Sequence, residues 1–416
     1  MLNTYLNALR RFNRDVHLFL IASALTGLTV FGGIYTVLLN LYLLRLGYGP
    51  DFVGQVNAAG ALSFAVCSLP AGLVGHRWGN RRTLIVGMAL AAIGYFLLPL
   101  AEFIPAAERK AWLLGTLSFG VLGMSLYLVN SPPFLTARTD PQERSYVFSA
   151  MVALWPLAGF AGSLIGGFLP GLFAGLLSLQ PDDPAAYRWP LLIAASLLSL
   201  ATLALIATRE KGIAGEQPDA TVGGRPPVLL IAIMALVVLL QMAAESSTRT
   251  FFNVYMDDEL NVPTPLIGGM AAAGQILAVA AAIAAPALAA RWGRTRTIVI
   301  GSIGMVAALI PLALVPHWLA GGLGCTLLIA MGSTRRSVWI LFQQELVAPR
   351  WRVTINSVLT ATFGVSTAII AMGGGQLITA LGYRPLFLTA AGLTGLGTLL
   401  FWAFFRKPRG EYTRRP

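Results

Sequence analysis

Ionisable side chains inside long apolar stretches are the first residues with chemical consequences. One stretch carries Gln241, Glu245 and Arg249 four residues apart, which places all three on one face of a helix. A second stretch carries the consecutive arginines Arg335 and Arg336 near its middle. A charged side chain within a bilayer costs at least about 2.5 kcal/mol, so such residues mark a candidate functional site by default.

The charges of this candidate site do not balance. It contains three arginines for one glutamate, and an unpaired buried charge is costly. Water, backbone carbonyls or an anionic solute group held by a guanidinium fork would each compensate for the surplus. Two hypotheses therefore stay open. Glu245, Arg249 and one arginine of the second stretch form a structural network, or at least one of these three residues binds a solute or a coupling ion.

Helical geometry assigns different roles to the two consecutive arginines, because they point about 100° apart. Arg336 shares a face with Trp339 and Gln343, at intervals of three and seven residues, and this stripe favours Arg336 as the residue facing a solute path. Arg335 would then brace a neighbouring helix. Glu245 is the only carboxylate that we place well inside an apolar stretch, and we assign it proton coupling as a hypothesis because its protonation responds to burial and neighbouring charge.

The elements that position these residues follow from the composition. The chain has 416 residues, of which 56% are hydrophobic and only 11% are charged, with a formal net charge of +12. A soluble domain has about a quarter of its residues charged, so this chain is a polytopic membrane protein. The basic residues recur in short clusters between apolar runs, which excludes a nucleic-acid-binding face. Cys67 and Cys325 lie inside apolar runs, and we expect no disulfide, metal site or cofactor.

Apolar runs of about 20 residues must be helical to cross a bilayer, and the sequence contains twelve of them. The predicted spans are 16–44, 52–75, 82–101, 111–137, 145–177, 188–207, 228–256, 266–289, 297–315, 318–346, 353–380 and 385–405. The fold class is therefore all-α. A polar linker at 208–227, rich in glycine and proline, separates two predicted six-helix bundles at 1–207 and 228–416.

Lysine and arginine counts in the short loops predict the orientation. With both termini and the even-numbered loops on one side, that side carries 21 basic residues. The other side carries five, namely Arg45, Arg109, Lys110, Arg188 and Arg384. Both termini are therefore predicted to be cytoplasmic, in an integral plasma (inner) membrane protein.

The two halves of the sequence are copies of each other. Arg77, Trp78, Gly79, Arg82, Thr83 and Gly87 recur 214 positions later as Arg291, Trp292, Gly293, Arg296, Thr297 and Gly301. Further matches follow in order with small insertions: Asn40 with Asn253, Arg144 with Arg352, Gly166 with Gly374, and Tyr187 with Tyr383. Because six spans separate the copies, the repeats are parallel, an arrangement suited to alternating access.

These features make the chain similar to the major facilitator superfamily of secondary transporters. The most specific element is the loop between spans two and three, whose family pattern is Gly-x-x-x-Asp-Arg/Lys-x-Gly-Arg-Arg/Lys-Arg/Lys. Gly72, Arg77, Gly79, Arg81 and Arg82 match this pattern, whereas His76 replaces the aspartate and Asn80 an arginine. The resemblance implies a conformational-switch loop here, and a second one at Arg291, Gly293 and Arg296.

The resemblance also implies a central cavity lined by spans one, four, seven and ten. The first half would then contribute Asn40, Tyr127 and Asn130 as neutral substrate-binding partners, opposite Gln241, Arg249, Arg335, Arg336 and Trp339. The fifth span keeps the glycines of the antiporter-associated pattern at Gly162, Gly166 and Gly167 but lacks its proline. Span four lacks the arginine typical of proton antiporters, which weakens the hypothesis of a standard drug exporter.

Three hypotheses about function remain. The leading one is a monomeric secondary transporter of a small organic solute with a negative group, by alternating access and with protons as candidate coupling ions. The alternative is a proton-driven exporter of lipophilic or lipid-like compounds. An enzyme or a non-transporting receptor is the least favoured, because the sequence shows no nucleophile and base pair, phosphate-binding glycine loop or sizeable soluble domain. Membrane lipids are the expected surroundings, and no nucleic-acid partner is expected.

Overall fold

The computed structural model describes residues 12–140, 143–209, 227–347 and 351–406. Within these residues the fold is all-α, as predicted. The helices in chain order are α1 (Arg14–Thr29), α2 (Ile34–Arg45), α3 (Pro50–Trp78), α4 (Asn80–Leu97), α5 (Ala106–Thr136), α6 (Arg144–Leu177), α7 (Pro184–Ile206), α8 (Val228–Val254), α9 (Thr264–Trp292), α10 (Arg294–Leu314), α11 (Trp318–Glu345), α12 (Arg352–Leu381) and α13 (Tyr383–Phe405). A 3₁₀ turn (Leu98–Phe103) extends α4, and a π turn (Tyr255–Glu259) extends α8.

The predicted spans coincide with these helices to within a few residues at each end. Among the described residues, eleven helical stretches are long and apolar enough to cross a membrane. Helix α11 is of similar length, at 28 residues, but is not one of the eleven. It carries Arg335 and Arg336, and their charges lower the hydropathy of the helix. Helix α11 is therefore the most polar of the twelve predicted spans, and it contains part of the candidate site.

The first predicted span is one continuous helix in the sequence pattern but is interrupted in the structure. Helix α1 ends at Thr29 and α2 begins at Ile34, with Gly32 at a φ of +82° between them. The Thr36 hydroxyl donates to the carbonyl of Val30, and the Ser163 hydroxyl of α6 donates to the carbonyl of Gly32. These bonds satisfy backbone groups that the break would otherwise leave unpaired inside the membrane.

The chain divides into two compact units. The first comprises Met1–Gly47, Ala59–Gly215 and Thr264–Ala272, and the second comprises Tyr48–Ala58, Glu216–Pro263 and Ala273–Pro416. Most of each unit follows one half of the sequence, but the first residues of α3 and of α9 belong to the unit of the other half. Most of the predicted linker, at 210–226, lies outside the described residues, so the bundle boundaries stay a prediction.

The internal repeat has the same backbone geometry in both copies. Gly79 joins α3 to α4 with a φ of +89°, and Gly293 joins α9 to α10 with a φ of +83°. In each copy a threonine four residues later donates its hydroxyl to the glycine carbonyl, from Thr83 at 3.0 Å and from Thr297 at 2.9 Å. Left-handed φ values suit glycine, which explains why this residue recurs in both loops.

We expect replacement of Gly79 by Ala to destabilise the protein by about 1–3 kcal/mol, because an alanine Cβ is strained at this φ. The measurement is the melting temperature of the purified protein in detergent. Gly171→Ala is the matched control, since a Cβ at Gly171 meets no atom within 4 Å and the residue lies inside helix α6. The control should be neutral or slightly stabilising, and equal losses in both variants would contradict the assignment of strain.

Candidate functional site

The candidate site forms between α8 and α11 of the second unit. Arg336 of α11 donates from Nη2 to Oε1 of Glu245 on α8. Nη2 of Arg335 lies 3.6 Å from the other carboxylate oxygen, Oε2, of Glu245. The side chain of Glu245 is 18% exposed. One carboxylate therefore pairs with two guanidinium groups that belong to consecutive residues of the neighbouring helix.

Arg335 is the buried member of this pair of arginines. Its side chain is 5% exposed, and its Nη1 donates to Oε1 of Gln241 at 3.0 Å. Gln241 is itself fully buried and donates from Nε2 to the hydroxyl of Thr398 on α13 at 3.5 Å. Gly301 of α10 makes room for the arginine, since a Cβ there would lie 3.2 Å from Cβ of Arg335. Arg335 thus joins α8, α10 and α11.

Arg336 is the accessible member. Its side chain is 56% exposed, and Glu245 is the carboxylate with which it pairs. Arg249, one helical turn beyond Glu245 on α8, is also exposed. The two consecutive arginines therefore differ: Arg335 is buried and hydrogen-bonds to the amide of Gln241, whereas Arg336 is accessible and hydrogen-bonds to the carboxylate of Glu245. The substrate-binding roles of these residues stay predictions.

Trp339 lies in the aromatic core of the second unit. Its ring centroid is 6.0 Å from that of Phe342 and 5.7 Å from that of Phe401 on α13. Gln343, on the same predicted stripe, is buried and donates from Nε2 to Oδ1 of Asn356 on α12 at 3.4 Å. The stripe from Arg336 therefore continues into packing contacts, and a role of Trp339 in binding stays a prediction.

The predicted partners from the first half belong to the first unit, and all three are buried. Asn130 on α5 donates from Nδ2 to the carbonyls of Ala71 at 3.1 Å and of Leu126 at 2.9 Å, which ties α5 to α3. The ring of Tyr127 stacks on Phe19 with centroids 6.0 Å apart. Asn40 lies on α2 at 4% exposure. The contacts of Asn130 and Tyr127 make both residues part of the packing of this unit.

Tyr127 and Arg335 occupy matching positions of the repeat. They are 208 residues apart, the same spacing that relates Arg144 to Arg352. A Cβ on Gly87 would lie 2.8 Å from the backbone nitrogen of Tyr127, just as one on Gly301 would approach Arg335. The same close helix crossing therefore holds a neutral phenol in one half and a guanidinium in the other.

Comparison with known proteins connects this geometry to a family. The model of the Major Facilitator Superfamily matches residues 18–344 and 234–416 of the chain. The chain belongs to this superfamily. The prediction made from the loop pattern and the repeat, that the chain is a member of this superfamily, is therefore confirmed.

Three known proteins illustrate the similarity of this chain to others. A glucose/galactose transporter of Brucella abortus biovar 1 (strain 9-941) is 24% identical over 226 residues, and the match covers 52% of each chain. The chain thus spans about half the length of the curated relatives it matches. A D-xylose-proton symporter has a similar structure, with a TM-score of 0.76 at 13% identity over 96% of this chain and 98% of that one. The nucleoside transporter NupG has a TM-score of 0.69 at 14% identity over 95% of this chain and 100% of that one. These structures share the fold.

The residues of the predicted switch loop differ in their exposure. Gly72, His76, Arg77 and Arg82 are exposed at the end of α3 and the start of α4. Arg81 is engaged: its Nη2 donates to the carbonyl of Ile206 at 2.7 Å, and its Nε donates to the hydroxyl of Thr208 at 3.0 Å. Arg81 therefore stabilises the carboxyl end of α7, where the helix dipole favours a cation.

A buried ion pair at the same end of the first unit was not predicted as a site. Asp15 of α1 accepts from Nε of Arg138, which follows α5, at 3.2 Å, and both side chains are at most 6% exposed. Asp15 also accepts from the backbone nitrogen of Arg209 at 3.1 Å, and the Arg138 guanidinium lies 4.0 Å from the ring centroid of Phe134. The sequence signal was available, because the predicted topology places residues 15 and 138 at the same membrane surface.

We expect Asp15→Asn to destabilise the protein by about 3–5 kcal/mol, because it removes the carboxylate that pairs with the buried guanidinium of Arg138. Asp182→Asn is the matched control. Asp182 pairs with Arg45 at 3.1 Å but its side chain is 82% exposed, and an exposed pair contributes at most about 1 kcal/mol. Thermal unfolding in detergent tests the difference, and a melting temperature that falls no further for Asp15→Asn than for the control would contradict the buried pair's importance.

Proposed function

We propose that this facilitator moves a small organic solute with a negative group across the cytoplasmic membrane by alternating access. The observation that carries the proposal is the pairing of one carboxylate, that of Glu245, with a buried and an accessible guanidinium. The accessible group of Arg336 is the one that a solute can reach. A planar guanidinium binds carboxylate and phosphate oxygens in a bidentate geometry, so it is suited to an anionic solute.

Proton coupling at Glu245 is the second part of the proposal. Protonation removes the negative charge that holds Arg336, and the arginine then lacks a counter-charge. An anionic group of the solute replaces it, so solute and proton bind together and leave together. Arg335 stays in place during the exchange, because its Nη1 is held by Gln241 and its side chain is buried.

A neutral sugar-like solute is the second candidate. It is favoured by the names of the relatives, a glucose/galactose transporter and a D-xylose-proton symporter. Such a solute would hydrogen-bond to Glu245 and Arg336 without replacing either charge. The two candidates therefore predict opposite charge requirements for the transported molecule.

Uptake into proteoliposomes tests the proposal. Purified protein is reconstituted, and radiolabelled carboxylates, neutral sugars and cationic dyes are compared with and without an imposed proton gradient. We expect accumulation of a carboxylate that requires the gradient and is blocked by a protonophore. Accumulation of sugars with no competition from carboxylates would support the second candidate, and accumulation of cationic dyes alone would contradict both.

A further inference from the structure

Three buried polar atoms around Glu245 have no hydrogen-bond partner among the described residues. They are Oε2 of Glu245, Oγ1 of Thr248 and Nε of Arg335. Thr248 is 3% exposed and lies three residues after Glu245, which places the two side chains on neighbouring positions of one face of α8. All three residues belong to the second unit. A buried polar atom without a partner is costly, so the three atoms indicate a place where a further polar group binds.

Other polar atoms of the same side chains are used by contacts within the fold. Oε1 of Glu245 accepts from Arg336, and Nη1 of Arg335 donates to Gln241. Nη2 of Arg335 lies 3.6 Å from Oε2 of Glu245, a distance that allows ion pairing but is too long for a hydrogen bond. The carboxylate and the buried guanidinium therefore each keep an atom for another partner.

Thr248 differs in its hydrogen bonding from other buried threonines of the second unit. The hydroxyls of Thr334 and Thr398 donate to the carbonyl four residues earlier in their own helices, at 3.2 Å and 2.7 Å. Such a bond is a common way for a threonine to satisfy its hydroxyl inside a helix. The hydroxyl of Thr248 makes no such bond in the described part of the chain. It can therefore donate to a ligand.

The three atoms match the hydrogen-bonding capacity of one alcohol group. The carboxylate oxygen of Glu245 accepts, the guanidinium nitrogen of Arg335 donates, and the hydroxyl of Thr248 donates as well. An alcohol donates one hydrogen bond and accepts two, so it pairs with all three atoms. A carbonyl or ether oxygen would leave the Glu245 oxygen without a donor. An ammonium group would leave the Arg335 nitrogen without an acceptor.

We propose that these three atoms bind a hydroxyl group of the solute, and that the solute is a 2-hydroxy carboxylate. The inference rests on the proposed function, in which the carboxylate of the solute binds Arg336. Arg336 contacts Oε1 of Glu245, and the unpartnered acceptor is Oε2 of the same carboxylate. The solute groups that face these two atoms must therefore lie close together, as they do when the hydroxyl is on the carbon next to the solute carboxylate. A proton carried by Oε1, the atom that Arg336 leaves, keeps Oε2 as the acceptor of the hydroxyl.

Equilibrium titration of the purified full-length protein with matched probes tests the inference. Lactate has both groups, propanoate lacks the hydroxyl, 2-methoxypropanoate keeps the oxygen but cannot donate, and lactamide keeps the hydroxyl but has no charge. We expect lactate to bind about 10- to 100-fold more tightly than propanoate or 2-methoxypropanoate, as for hydrogen bonds to charged groups. Equal affinities for lactate and propanoate would assign the three atoms to a retained water molecule and would overturn the inference, as would the absence of lactate binding.

Thr248→Val tests the cluster itself, because it removes the hydroxyl and keeps the shape of the side chain. It should lower the ratio of lactate affinity to propanoate affinity by about 3- to 10-fold. Thr248→Ser, which keeps a hydroxyl, should retain the ratio. Thr334→Val is the matched control, since Thr334 is also buried but its hydroxyl is bonded within α11. An unchanged ratio in Thr248→Val, or an equal fall in the control, would overturn the inference.

Failure of the proposed function would give a different result. Lactamide would then bind as tightly as lactate, whatever the ratio between lactate and propanoate. Conversely, gradient-driven uptake of carboxylates without a preference for a 2-hydroxyl group would support the proposed function and overturn only the assignment of the solute class.

Discussion

Replacement of Glu245 by Gln is expected to abolish proton-driven accumulation of the solute while leaving exchange of solute across the membrane intact. The amide keeps the size of the side chain but neither binds nor releases a proton at neutral pH. In the wild-type protein a gradient of one pH unit supplies about 1.4 kcal/mol, enough for a tenfold concentration ratio with one proton per solute. In the variant this ratio should fall to about one.

The control for this prediction is Glu345→Gln. Glu345 also pairs with an arginine, Arg294, but its side chain is 52% exposed at the end of α11. It should keep wild-type accumulation. Counterflow of labelled against unlabelled solute measures exchange separately from coupling. A Glu245→Gln variant that still accumulates solute tenfold would assign coupling to another residue, and loss of counterflow together with accumulation would instead assign a structural role to Glu245.

The helices of this protein could be predicted from the sequence because a bilayer permits few backbone conformations for an apolar run. An apolar run in a bilayer must satisfy its backbone internally, so its length alone predicts a helix. The interruption at Gly32 could not be predicted in this way. It depends on hydrogen bonds of the Thr36 and Ser163 hydroxyls at the break, and Ser163 lies 131 residues after Gly32 in the chain.

The contacts of the candidate site could likewise be predicted only in part from the sequence. Helical geometry alone separates the directions of Arg335 and Arg336, and the structure has one buried and one exposed. Arg335 donates a hydrogen bond to Gln241 on α8, which in turn donates to Thr398 on α13. The sequence pattern of one helix does not say which other helices pack against it. The repeat did contain part of this information, since Gly87 and Gly301 mark the same close crossing in both halves.

The buried pair of Asp15 and Arg138 was missed for a different reason. Neither residue stands out by its local sequence, since Arg138 is one of many basic residues at the ends of the predicted spans. The two are separated by 123 residues but lie at the same end of the first unit. A search for acids at the basic surface of a membrane protein would have found Asp15, because acidic residues are few there and need a counter-charge.

Lysine substitutions at Arg335 and Arg336 are expected to have different effects, because the two arginines have different surroundings. Arg336→Lys keeps a positive charge near Glu245 but loses the bidentate fork, so solute binding should weaken by about 10- to 100-fold, from roughly 1.5–3 kcal/mol for a charged hydrogen bond. Its melting temperature should stay near that of the wild type, since the side chain is 56% exposed.

Arg335→Lys should instead lower the melting temperature and the folded yield. A lysine at this buried position loses the fork that lies near both Gln241 and Glu245, and it fills the space beside Gly301 less well. Arg384→Lys, at an exposed position on α13, is the control for both measurements. Binding is measured by equilibrium titration on detergent-purified protein and stability by thermal unfolding. Normal affinity in both variants, with both well folded, would eliminate the anion site and favour the neutral solute, whose recognition needs no guanidinium fork.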